Sequence, residues 1–196
     1  LRAIFVKPSL KAIPSPADEV NVGAGLTKLD QQLSARLMRV NHAGEIAAQG
    51  LYHGQALTAQ NEKIKKQMHH SAQEEQAHLA WCEKRLTELD DHPSALNPVW
   101  YLGSYAIGAA TGMLGDKWSL GFISETEKQV VQHLDEHLLH LPKQDQKSRE
   151  ILLKMREDEA MHDKTAQDAG AHTLPKPAKL LMRTVSKIMT KTAYWI

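Results

Sequence analysis

The sequence predicts an all-α fold in which four long helices form one bundle. Three observations carry this. Apolar residues recur at three- and four-residue steps over four long segments. Alternating β-branched runs are scarce, and only two Phe occur in 196 residues. The four segments are divided by two short connections and one long one, the connectivity of a ferritin-like bundle.

The elements follow in order. Residues 1–25 begin "LRAIFVKPSLKAIPSP", basic and Pro-bearing, with an apolar stretch too short for a signal peptide. They are expected to form an N-terminal arm partly wrapped on a single domain, residues 26–196. The first helix is expected over 26–59, with a stripe of Leu29, Leu33, Leu37, Val40, Ala47 and Leu51. The second spans 61–89 and ends before His92-Pro93. The third spans 116–141 and stops at Pro142. The fourth spans 144–169, with Gly170 as its stop. Between the second and third lies the long apolar crossover, "NPVWYLGSYAIGAATGMLG", uncharged and too Gly-broken to read as a membrane span. After Asp168 no acidic residue remains. The chain closes on an extra basic amphipathic helix, with Lys176, Lys179, Arg183, Lys187 and Lys191 on one face and Leu180, Leu181, Val185, Ile188 and Met189 elsewhere.

Composition removes several function classes. A net charge of +1 gives no bias toward nucleic acid. Cys82 is the sole cysteine, so internal disulfides, Cys-rich zinc sites and rubredoxin-type iron sites are excluded. A reducing, cytosol-facing location is the simpler expectation.

The helical faces carry the chemistry. At about 100° per residue, Glu75 sits in the middle of the second helix's apolar stripe with His78 beside it. Glu127 is centred on the third stripe, and Glu159 and His162 share the inner face of the fourth. On the first, Met38, Glu45 and Tyr52 recur every seven residues on the flank of the Leu stripe, which makes Glu45 the least central of the set. Glu74 points to the side and is expected to be solvated. One Glu-x-x-His alone is an ordinary surface pair. Four inward carboxylates and two inward imidazoles, with no matching Lys or Arg, are different. Buried carboxylates must be neutralised, paired or bound to metal.

The spacing repeats. Glu45 precedes Glu75 by 30 residues and Glu127 precedes Glu159 by 32, so each half supplies a Glu and then a Glu-x-x-His. This is the ligand pattern of di-iron and di-manganese bundles. The oxygen-rich donor set favours iron or manganese over structural zinc. The predicted metal ligands are Glu45, Glu75, His78, Glu127, Glu159 and His162.

Several stretches, "RVNHAGEIAAQGLYHGQ", "EEQAHLAW", the Pro-x-Trp crossover and "DEAMHD", resemble the demethoxyubiquinone hydroxylases of ubiquinone biosynthesis, in the same order and over residues 26–196. The resemblance implies a bacterial-type, membrane-associated oxidoreductase: an O2-dependent di-iron monooxygenase. It implies two iron ions per chain (Fe2+/Fe3+), with manganese the lesser alternative, at the six residues above. It implies a polyprenyl quinol substrate, O2, an unidentified electron donor and an assembly with other ubiquinone-biosynthesis proteins. The expected location is peripheral, on the cytoplasmic side of the bacterial cell membrane. One departure stands out: in "QHLDEH", Leu134 replaces a tyrosine of the family pattern, so the resemblance implies no redox tyrosine there.

Asp163, then Asp158, are candidates to hydrogen-bond a ligand histidine. His133 and His137 are expected near the surface, His42 in local packing, Cys82 in the core, and Gly44 and Gly50 at close helix approaches. The crossover and the last helix are the expected membrane contacts. The competing functions are a ferritin-like protein that handles iron or scavenges peroxide, and a non-enzymatic membrane-binding helical scaffold.

Overall fold

The protein was analysed as a computed structural model that describes residues 13–20 and 25–196. Most of the N-terminal arm, residues 1–12 and 21–24, lies outside the described residues. Of the arm's remainder, Pro14 O accepts a 2.8 Å hydrogen bond from Trp81 Nε1, Asp18 pairs with Lys84, and Ala17 joins the core.

Among the described residues six helices are present: α1 (Lys28–Thr58), α2 (Glu62–Glu88), α3 (Asn97–Met113), α4 (Asp116–His140), α5 (Gln146–Asp168) and α6 (Lys176–Ala193). No strand occurs among the described residues. Side-chain caps set three starts. Thr27 accepts from Asp30 N, Asn61 from Lys63 N and Asp145 from Ser148 N. Proline stands in the first turn of α3 and α6. Gly170, at φ 96°, ends α5 as expected.

The bundle consists of α1, α2, α4 and α5. Tyr52 and Gln55 of α1 meet Glu127 and Ser119 of α4, so those two helices run antiparallel. Arg85, His78 and Glu74 of α2 meet Ser148, Asp158 and His162 of α5, again antiparallel. The crossover is itself a helix. α3 runs alongside α1 in the same direction, with Gly50 against Tyr101, Gly54 against Tyr105 and Gly112 against Thr58. Seventeen residues at 1.5 Å each return the chain about 25 Å along the bundle.

Two apolar clusters fill the interior. One gathers Met38, Cys82, Leu86, Leu134, Leu152 and Met155. The other gathers Tyr52, Met68, Ala72, Leu120, Ile123 and Ala166. In all four helices the predicted metal ligands fall between these clusters in sequence, so the polar layer has dry protein above and below.

Some expectations need correction. Leu29 is 78% exposed and does not belong to the first stripe; at that end of α1 it is Leu33 and Leu37 that reach the core cluster. A Cβ on Gly44 would meet nothing within 4 Å, whereas one on Gly50 would lie 2.4 Å from Tyr101 O, so only Gly50 serves close approach. His137 is buried and His133 half-buried, their rings 3.8 Å apart against the side of α4. The basic row of α6 is not wholly solvent-facing: Lys179 pairs at 2.7 Å with the buried Glu125 of α4.

Candidate metal centre

Each bundle helix delivers its part of the cluster at one level. Glu45 comes from α1, Glu75 and His78 from α2, Glu127 from α4, Glu159 and His162 from α5, and all six are buried. Donor atoms of Glu45, Glu75, His78 and Glu159 lie within 4.8 Å of one another, and so do those of Glu127, Glu159 and His162. The two groups share Glu159. Glu75 also reaches the second group, with Oε1 3.4 Å from His162 Nδ1. The arrangement is two adjacent groups of donor atoms that share Glu159 and that Glu75 also adjoins, and it could hold two cations.

The imidazoles are oriented alike. His78 Nδ1 faces inward, 3.2–3.3 Å from carboxylate oxygens of Glu45, Glu75 and Glu159. His162 Nδ1 faces inward, 2.9 Å from Glu159. The outer nitrogens are held by the opposite helix. His78 Nε2 is 3.2 Å from Asp158 on α5, and His162 Nε2 is 3.0 Å from Glu74 on α2. Donation from Nε2–H fixes the tautomer that leaves Nδ1 free for a cation. Tyr52 donates its hydroxyl hydrogen to Glu127 Oε1 at 2.6 Å.

Electrostatics agree with a site built for cations. Burial, then repulsion from Glu75, pushes the Glu45 carboxyl well up. Burial, then Glu159, does the same to Glu127. For Glu75 burial is outweighed by hydrogen bonds from Glu45, His162 and His78, which hold it low. Burial opposes the charge on both histidines, but the surrounding carboxylates win: His78 is raised well above its usual value and His162 to about 12. Protons here do the neutralising that cations would do. Among the described residues no Lys or Arg pairs with any of the six. The buried Arg39 and Arg85 are committed elsewhere, to Asp91 and to Asp145. Glu75 Oε1, fully buried, has only its long 3.4 Å contact with His162 Nδ1. Four carboxylates, two imidazoles with pre-oriented Nδ1 atoms and a poorly satisfied carboxylate oxygen fit a pair of iron-like ions.

Thus all six expected ligands converge. Two neighbours do not behave as expected. Glu74 is half exposed but is a brace for His162 rather than a solvated bystander. Asp163 bonds Ser124 and Gln167 and touches no ligand, so Asp158 is the acid that holds a histidine. The available signal was the acidic residue directly before each Glu-x-x-His, "EEQAH" and "DEAMH". Leu134 is buried in the apolar cluster, and the tyrosine that does reach the ligands is Tyr52.

Residues 32–193 match the family described as "Ubiquinone biosynthesis protein COQ7". A protein of Nitrosococcus oceani named 3-demethoxyubiquinol 3-hydroxylase is 53% identical over all of this chain and 91% of its own length. Proteins of the same name from Polynucleobacter necessarius (52%, covering 93% of this chain and 88% of theirs) and Acinetobacter baumannii (53%, 100% and 92%) are similar. Among solved structures, the bacterioferritin-related dodecameric thioferritin of Bacteroides fragilis superposes with TM-score 0.56 at 20% identity, over 71% of this chain and 82% of that one. That likeness shows a ferritin-like fold. The chain belongs to the COQ7 family of ubiquinone biosynthesis.

Proposed function

We propose that this protein hydroxylates the ring of demethoxyubiquinol, a 2-polyprenyl-3-methyl-6-methoxy-1,4-benzoquinol, using O2 and two iron ions held by Glu45, Glu75, His78, Glu127, Glu159 and His162. The observation that carries the reading is the buried cluster with two overlapping groups of donor atoms, in a chain whose relatives bear the name 3-demethoxyubiquinol 3-hydroxylase. When bound, the irons supply the activation of O2. The chain's own residues do the rest. The apolar clusters on either side exclude water. Asp158 and Glu74 hold the imidazoles with Nδ1 inward, and Tyr52 holds Glu127 by its Oε1. Glu159 belongs to both donor groups, and Glu75 of the first adjoins the second. An electron donor from outside the chain completes the stoichiometry of a monooxygenase.

The protein is further proposed to sit peripherally on the cytoplasmic face of a bacterial membrane and to associate there with other proteins of the pathway. No helix among the described residues is long and apolar enough to cross a membrane. The support is the outward apolar surface of α3 and α6.

The test has two readouts. Purified protein loaded anaerobically is expected to hold two irons per chain, and cells lacking the protein are expected to accumulate demethoxyubiquinone. Wild type should clear that accumulation, and Glu159→Ala should not. Failure to accumulate sinks the hydroxylase reading and leaves iron handling. Fewer than two irons sinks the dinuclear site and favours the scaffold reading.

A further inference from the structure

Gln49 is fully buried, and neither its Nε2 nor its Oε1 has a hydrogen-bond partner. A buried carboxamide left unpaired is costly, because each of its groups has given up its hydrogen bonds to water. Its sequence position makes that cost informative. Gln49 lies one turn beyond Glu45 and three residues before Tyr52, so the three side chains leave α1 within about 60° of arc. Glu45 belongs to the cation cluster and Tyr52 bonds another member of it. Gln49 is therefore a polar group beside the cluster with nothing to bond.

One further turn along α1 is His53, which lines a cleft of about 440 Å³ between α1, α2 and α3. Its other walls are Leu57, Lys65, His69, Tyr101 and Tyr105. That volume is in the range of small-molecule sites. Tyr101 and Tyr105 stack at 23° with centroids 6.3 Å apart, and His53 Nδ1 is 3.0 Å from the Tyr101 hydroxyl. The cleft thus has flat aromatic walls and polar tips. On one side it borders α3, whose Leu102 and Ile107 are exposed. His53, Gln49 and Glu45 lie at successive turns of α1: His53 lines the open cleft, Glu45 belongs to the cation cluster, and the buried Gln49 stands between them without lining the cleft.

We infer that this cleft is the entrance for the quinol and that the Gln49 carboxamide receives a ring oxygen of the quinol on its way to the metal pair. A carboxamide presents a donor and an acceptor together, which matches a quinol hydroxyl that also donates and accepts. The inference rests on the quinol hydroxylase reading. It deepens that reading by naming the binding residue and the path.

The experiment compares iron-loaded wild type with Gln49→Met and Leu57→Trp. Met is nearly isosteric with Gln and needs no partner. Leu57 is 65% exposed, so Trp there narrows the cleft without disturbing the core. The probe is a short-chain demethoxyubiquinol kept reduced under anaerobic conditions, its binding followed by quenching of tryptophan fluorescence, alongside iron content, melting temperature and turnover. Gln49→Met is expected to hold two irons, melt at or above the wild-type temperature, and bind the probe about tenfold more weakly, the loss of roughly one hydrogen bond. Leu57→Trp is expected to raise KM while kcat stays unchanged. Wild-type probe affinity in Gln49→Met overturns the contact, and so does a lower melting temperature with loss of iron, which would make Gln49 structural. An unchanged KM in Leu57→Trp overturns the entrance. If wild type itself fails to turn over the quinol, the parent reading falls and this one with it. If wild type turns over and only the variants misbehave, the parent reading stands.

Discussion

At the scale of single residues, the cluster depends on two acids that are not ligands. Asp158 and Glu74 each hold the outer nitrogen of the histidine on the opposite helix, so α2 and α5 are braced reciprocally. Asp158→Asn and Glu74→Gln should fold normally, because both acids are partly exposed. Each should weaken iron retention about 10- to 100-fold in competition with a chelator. Wild-type retention in both would show the braces to be incidental. Two other histidines set acid sensitivity. Burial holds His42 down at about 4 and His137 at about 2, with His133 and His140 adding to the second. The unfolded chain takes up a proton near pH 6.5 and the folded chain does not. Stability is therefore complete above pH 6.5 and falls as pH drops below it. At pH 5 the loss is of the order of 2 kcal/mol per histidine. Denaturant unfolding at pH 7 and pH 5 should show His42→Gln losing about that much less than wild type, and equal losses would refute the assignment. The ligands were legible in the sequence because inward acids violate the apolar pattern of their own helix. The braces were legible only in part: Asp158 is a candidate ranked behind Asp163, and Glu74 reads as solvated, because their partners lie on another helix, at a distance that periodicity does not encode.

At the scale of elements, the close contact is α3 on α1. Gly50 and Gly54 on α1 and Gly108 and Gly112 on α3 are each four residues apart, so each pair lies on one face and lets two backbones meet. A Cβ on Gly54 would stand 2.1 Å from Tyr105 O and 2.7 Å from Ala109 N. The obstacle is backbone, so Gly54→Ala must push the helices apart. The expected destabilisation is about 1–3 kcal/mol, with a fall in melting temperature of about 2–4 °C per kcal/mol. Gly44→Ala is the control: a Cβ there meets nothing, and helix propensity should hold or raise stability by up to about 1 kcal/mol. If both variants melt alike, the close packing is not what holds α3. This also explains what the sequence left unread. The four bundle helices announce themselves by apolar stripes. The crossover's glycines look like breaks until their spacing is matched to the glycines of α1, and only then does the segment become a helix.

At the scale of the whole molecule, one side of the bundle is dressed the wrong way round for water. A surface helix ordinarily turns its apolar stripe inward. α6 instead ties Lys179 inward to Glu125 and leaves Leu180, Leu181, Val185 and Ile188 exposed. Its end packs on α1, where Ala193 joins Val40 and Ala43 in a cluster that Trp100 of α3 also touches, and α3 adds exposed Val99, Leu102 and Met113. Amphipathicity told of two faces on α6 but not which one the bundle would take. The answer came from a buried carboxylate on α4 that needed a cation. The remaining Lys176, Arg183, Lys187 and Lys191 suit an anionic lipid surface at about 1 kcal/mol each. Each inserted Leu, Ile or Val adds about 1.5–3 kcal/mol. Wild type should therefore sediment with phosphatidylcholine vesicles containing phosphatidylglycerol, and less with phosphatidylcholine alone. Leu181→Glu/Val185→Glu/Ile188→Glu should lose binding at least tenfold while keeping helicity and two irons, because those side chains carry little of the core. Raising salt should weaken wild-type binding only partly, since screening acts on the cations and leaves the apolar insertion in place. Equal sedimentation of wild type and triple variant would mean that a different surface meets the lipid, and no sedimentation of wild type would remove the membrane from the account of this protein.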